Sequence, residues 1–261
     1  MAPNFHSFLN SIERHCRTKE KTKKVEVVTS SSGSPSIGRG RGRMMNAMDE
    51  DDFEDAVSTG TPLSAIAEAF EDLSDLVKSR GGMKFDMDLK SLCDASSLVS
   101  VLFGCLGIAF KFAEMEYIAK LRDLEDASET YGTLSNIIDT DLETHTVKSP
   151  GSLSRKLRRV RQGLDLVRAI FQNFLSPEFC SLKEAASVAY GKVCAPYHTW
   201  PVRTAVSAGM CALPTRDQLL ERLNETDESA EKAMRRYIKA SSPVIEYIDM
   251  LYTSRNISLD W

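Results

Sequence analysis

The chain has 261 residues, with 33 Lys plus Arg against 37 Asp plus Glu and a formal net charge of -4. This balance argues against a globally basic nucleic-acid binder, and 14 Gly with 9 Pro exclude a collagen-like or wholly disordered chain. At 42% hydrophobic and 27% charged, the composition suits a globular protein of one large domain or two small ones.

Residues 1–60 carry no core pattern. Phe5, Phe8, Leu9 and Ile12 suit one short amphipathic turn or two. A basic block then runs from Arg14 to Arg43 through Thr29-Ser-Ser-Ser-Gly-Ser-Pro-Ser36, and the sign reverses at Asp49–Asp55. Such a segment cannot bury enough apolar surface to offset chain entropy, so a disordered, low-complexity tail is expected. A solvated tail, a contact with anionic lipid or nucleic acid, and a transit peptide all stay open.

From Thr61 the periodicity is helical. Thr61 with Pro62 forms an N-cap and first-turn proline, followed by Leu63, Ile66, Ala67, Phe70, Leu73 and Val77 at helical spacing, with Gly81-Gly82 as a stop. A long helix is expected from about Asp88 to Asp126, central and buried because residues 98–112 are apolar nearly all round. Further helices are expected over about 128–143, 152–175, 182–193, 200–213, 215–223 and 225–252, punctuated by Pro150-Gly151, Pro177, Pro196 and Pro214. About eight helices and no strand signal predict an all-α domain over 61–261. The longest apolar stretch, Leu98 to Ala113, contains Lys111 and falls short of the ~20 residues of a spanning helix, so none is expected. The six cysteines have no C-x-x-C spacing and read as reduced thiols in a cytosolic protein, with no metal site.

Three charged clusters stand out. Glu116 and Lys120 share a helix face directly after the apolar segment, as a surface ion pair or as the mouth of a pocket. Arg155, Lys156, Arg158, Arg159 and Arg161 crowd the first turns of a helix, where the dipole disfavours cations. Arg155 and Arg159 read as surface residues on one side, either a solvated face or an anion site. His198 lies in Ala195-Pro-Tyr-His-Thr-Trp200, without a second histidine for zinc or a triad. No nucleophile–base pair, P-loop or dinucleotide fingerprint is present, so neither an enzyme nor a cofactor is expected.

The segments Phe103–Lys120, Gly151–Asp165, Ala195–Trp200, Ala205–Met210, Leu213–Arg216 and Leu259–Trp261 resemble the glycolipid transfer protein superfamily, in particular its plant accelerated-cell-death-type members. The resemblance covers about 61–261. It implies a two-layer all-α sandwich that holds one sphingolipid, headgroup at the surface and chains between the layers, and carries it between membranes without covalent change. It assigns Lys120, Arg155 and Arg159 to the headgroup, His198 to the ceramide amide carbonyl, and Trp200 to membrane docking. Glu116 stands where the family has an aspartate that accepts from the amide N–H; the acceptor is kept on a chain one methylene longer.

Sugar-selective members carry a tryptophan at the place of Arg159, for stacking on the sugar. Here the only tryptophans are Trp200 and Trp261, so three cations face the headgroup instead. Arginine forks suit phosphate oxygens, which points to ceramide 1-phosphate or a close phosphosphingolipid. Leu102, Phe103, Leu106 and Phe110 are the expected pocket lining. A monomeric cytoplasmic protein, peripheral at membranes and without nucleic acid, is expected. The alternatives are a sphingolipid-binding regulator of death or stress signalling and a helical interaction module.

Overall fold

The structure, a computed structural model, describes residues 60–79 and 85–261. The expected disorder of residues 1–59 and the Gly81-Gly82 stop lie outside the described residues. The described chain is helical, and an isolated bridge between Asp88 and Thr133 is its only β pairing. The helices are α1 (Pro62–Ser79), α2 (Leu89–Leu98), α3 (Ser100–Leu106), α4 (Lys111–Tyr131), α5 (Leu134–Glu143), α6 (Leu153–Phe174), α7 (Leu182–Val193), α8 (Trp200–Met210), α9 (Arg216–Leu223) and α10 (Asp227–Thr253). Short 3-10 turns at Ile108–Phe110 and Ala195–Tyr197 precede α4 and α8.

Local chemistry sets most boundaries. Thr61 Oγ1 accepts from the Ser64 amide at 3.2 Å, and Ser152 Oγ from the Arg155 amide at 3.1 Å. Thr215 and Thr226 open α9 and α10 with reciprocal capping boxes. Each cap satisfies an amide that the first helical turn would otherwise leave unpaired.

The expected single helix over 88–126 is instead divided. It breaks at Val99 and again at Gly107, whose φ of 98° and ψ of 176° suit glycine alone. The break turns the following residues outward, so the apolar segment is not all core. Val101, Ile108 and Phe112 are exposed, Ile108 to 76%. Helix α4 continues past Asp126 to Tyr131 and stops at Gly132, where Thr133 caps α5 by accepting from the Asn136 amide.

One run, Leu89–Leu106, does reach the length and hydropathy of a membrane span, unlike the stretch at 98–113. It is broken at Val99, and Leu89, Leu92, Cys93, Ala95 and Leu102 are buried in the protein core. Packing consumes part of its apolar character: 39% of the run is buried, while Val101 stays exposed.

The helices stack in two layers, with α6 in contact with α4, α7 and α10, and α10 lying along α1. Leu63, Ile66 and Phe70 of α1 meet Tyr237, Val244 and Ile248 of α10 in one hydrophobic cluster with the Leu157, Val160, Leu164 stripe of α6. Gly163 lets α4 approach α6 closely, since a Cβ there would lie 3.0 Å from the Tyr117 ring. Tyr237 ties the layers together: its ring meets Phe70 and Phe171 edge-on at 5.0 and 5.6 Å, and its hydroxyl donates to the Leu164 carbonyl at 3.1 Å. Tyr237→Ala is expected to cost about 3–5 kcal/mol in denaturant unfolding, against about 1 kcal/mol for Tyr237→Phe, which keeps the ring.

Candidate functional site

Helix α6 sorts its basic residues by partner. Arg158 is buried, 3% exposed, and donates to the Leu259 carbonyl at 2.9 Å and to Asp249 Oδ1 at 3.4 Å. Arg161 pairs with Asp165 at 2.7 Å and with Asp249, and Lys156 pairs with Asp123 of α4 at 2.9 Å. The basic run is therefore no uniform solvated face, because Arg158 turns inward to hold the C-terminal segment.

Arg155 and Arg159 differ. Arg155 Nη1 donates to the Lys148 carbonyl at 2.6 Å, and Arg159 Nη1 to the side-chain carbonyl of Gln162 at 2.5 Å. Arg158, Arg161, Arg168, Arg216, Arg235, Arg236 and Arg255 all ion-pair with carboxylates. Arg155 and Arg159 have no such pair among the described residues and are held by neutral oxygens, as is Arg222, whose Nη1 donates to the Cys105 carbonyl at 2.8 Å. Both are half-buried. Burial, then the charges of Arg155 and Arg158, hold the Arg159 pKa below the ordinary guanidinium range, although the group stays cationic at neutral pH. A bound anion would relieve both costs.

His198 follows the 3-10 turn that closes α7. Its Nδ1 lies 2.9 Å from the Tyr190 hydroxyl, with the two rings 5.7 Å apart. Burial pushes the tyrosine up to about 12, so its hydroxyl keeps its proton at neutral pH. The imidazole is pushed below 6.5 by burial, then by the charges of Arg159 and Lys120. A neutral ring that accepts from Tyr190 at Nδ1 carries its proton on Nε2, which leaves one donor free. The coupling of His198 to Arg159 and Lys120 brings residues of α4, α6 and the α7–α8 connection into one electrostatic neighbourhood.

Lys120 and Glu116 meet at the edge of this neighbourhood. Lys120 Nζ lies 2.9 Å from both the Glu116 carboxylate and the Glu116 carbonyl, with the glutamate more exposed than the lysine. Trp200 opens α8 and is 71% exposed. Leu102, Leu106, Val167, Phe171, Leu219 and Met234 are among the residues lining an apolar cavity of about 40 Å³. Phe103 instead packs on the Tyr117 ring at 5.5 Å, and Phe110 points toward Gly209 of α8. Among the described residues no cluster of His, Cys, Asp or Glu has the makings of a metal site, and Cys93, Cys105, Cys180, Cys194 and Cys211 are free thiols.

Sequence reasoning missed Gln162 and Tyr190. Gln162 was signalled, since it lies three residues after Arg159 and seven after Arg155 on one helical face. Nothing in the spacing marks Tyr190, which reaches His198 across a helix end.

Residues 87–225 match the glycolipid transfer protein family. The chain is 65% identical over 221 residues to an Arabidopsis thaliana ACD11 homolog protein, covering 82% of this chain and 96% of that one. It is 31% identical over 158 residues to a Mus musculus ceramide-1-phosphate transfer protein, covering 55% and 71%. The crystal structure of a mutant of Arabidopsis ACD11 (accelerated-cell-death 11), complexed with ceramide-1-phosphate, superposes with a TM-score of 0.73 at 43% identity, over 78% of this chain and all of that one.

The histidine makes stability depend on pH. A proton binds His198 less readily in the folded than in the unfolded chain, so the stability it confers is full above 6.5 and is lost as pH falls below that value. Thermal unfolding between about pH 7 and about pH 5 should show a falling midpoint, and His198→Gln should flatten that slope. An unchanged slope in the variant would count against the burial and coupling described.

Proposed function

Because the chain belongs to the glycolipid transfer protein family, we propose that it binds ceramide 1-phosphate or a close phosphosphingolipid and moves it between membranes without covalent change. The observation that carries this reading is the pair of half-buried arginines held by neutral oxygens beside Lys120 and His198. A phosphomonoester is close to dianionic at neutral pH, with a second pKa of about 6. Arg155 and Arg159 supply two uncompensated charges, matching two negative ones, while Lys120 adds a third cation already shared with Glu116. The Nε2 proton of His198 donates to the ceramide amide carbonyl, and Glu116 accepts from the amide N–H once the ligand draws Lys120 toward phosphate.

The chains enter between the layers. Each methylene removed from water contributes ~0.8 kcal/mol, so only a dry compartment retains the lipid in transit. The apolar cavity of about 40 Å³ has room for only a few waters, at ~10–15 Å³ each. Uptake therefore requires the lining side chains to move apart. Release takes place on a membrane. Trp200, with Ile108 on the turn beside α8 and Phe112 in the first turn of α4, supplies exposed apolar groups for peripheral docking of a cytoplasmic protein.

A second reading, a regulator of cell death that captures its lipid more than it transports it, draws on the naming of the Arabidopsis relatives for accelerated cell death. Slow transfer with stoichiometric capture would favour it. The transport reading is tested in a vesicle-to-vesicle assay. Ceramide 1-phosphate should move faster with the protein than without it. Arg159→Leu and Lys120→Ala should each cut that rate by about 30-fold or more at unchanged helix content. No acceleration by the wild type would refute transport, and normal rates in both variants would refute the residue assignment.

A further inference from the structure

Arg155, Arg159 and Gln162 occupy positions i, i+4 and i+7 of α6 and so share a face. Gln162 is 3% exposed. A guanidinium has donors only, so the amide oxygen of Gln162 must be the atom that meets Arg159 Nη1. The amide nitrogen then turns away, is buried, and finds no partner. A buried donor left unpaired is unfavourable. Other buried polar atoms also lack partners, Arg158 Nε and Arg161 Nε among them; at Gln162 the cost falls on the group that fixes Arg159.

The contrast with the other face of α6 is informative. There Asp165 and Asp249 fix Arg158 and Arg161 and, shared also with Arg168, offset most of the positive charge at the same time. Gln162 orients Arg159 without cancelling anything. We infer that Gln162 is a positioning residue that sets headgroup selectivity: its neutral acceptor holds Arg159 in place while leaving the site a surplus of two positive charges, which favours a dianionic phosphomonoester over a zwitterionic phosphodiester. This rests on the phosphosphingolipid reading of the site. Replacing the amide by a carboxylate would keep the hold on Arg159 and remove one of the two surplus charges.

The test is titration calorimetry of the full chain with short-acyl ceramide 1-phosphate and, separately, short-acyl ceramide phosphocholine. The wild type should prefer the phosphomonoester. Gln162→Glu should lose about tenfold or more in affinity for ceramide 1-phosphate but under about threefold for ceramide phosphocholine. Equal losses for both headgroups would mark Gln162 as merely structural, and no loss would mark it as irrelevant; either overturns the inference. If Gln162→Glu does not fold, Gln162→Met decides: weakening of ceramide 1-phosphate binding by about threefold or more supports positioning, and unchanged affinity refutes it. A wild type that binds no ceramide 1-phosphate would overturn the function reading along with this inference, whereas a binding wild type with an indifferent variant overturns the inference alone.

Discussion

A half-buried guanidinium that faces other cations and only neutral acceptors sits in an unfavourable field until an anion arrives. Arg159 is in that position, flanked by Arg155 and Arg158 and held by an amide oxygen. Elsewhere on the same helix the chain places carboxylates beside Arg158, Arg161 and Arg168. The surplus charge orders the rest of the site. It adds to the burial that lowers the His198 pKa and so favours the neutral imidazole, and it lies close to Lys120, which is paired with Glu116.

The fold supplies this arrangement by spending its ordinary stabilising interactions around it. Ser152 caps α6 at the turn that carries Arg155, so the backbone there is fixed before any ligand binds. Arg158, buried one turn further, ties α6 to the C-terminal segment through Leu259 and to α10 through Asp249. Tyr252 of α10 donates to the Ser154 carbonyl at 2.7 Å and braces the same turn from beneath. Ser154, Leu157 and Arg158 are thus buried, and Arg155 is held by the Lys148 carbonyl, so Arg155 and Arg159 project from a braced turn.

Much of this was legible in the sequence. The cap at Thr61 and the breaks at Gly151 and Pro196 follow from local chemistry, which is why most helix boundaries agree within a few residues. The segment 98–112 misleads because periodicity cannot distinguish a buried helix from an apolar surface that awaits a membrane. Gly107, in sequence one more small residue among apolar ones, is what turns Ile108 and Phe112 outward. In the site, residue types at i and i+4 were readable, but partner identity was not. That Arg158 is paired and Arg159 is not depends on Asp249, 91 residues from Arg158 in sequence. The Tyr190 contact that orients His198 is likewise tertiary.

Surplus positive charge at Arg155 and Arg159 suits a doubly charged phosphate. Nearby cations favour the ionised form of an acid and lower its pKa. Phosphorus-31 resonance of ceramide 1-phosphate bound to the wild-type chain, followed against pH, measures this directly. The account predicts a bound headgroup that stays dianionic well below its ordinary second pKa of about 6. A bound phosphate that titrates at its ordinary value, or above it, would contradict the account.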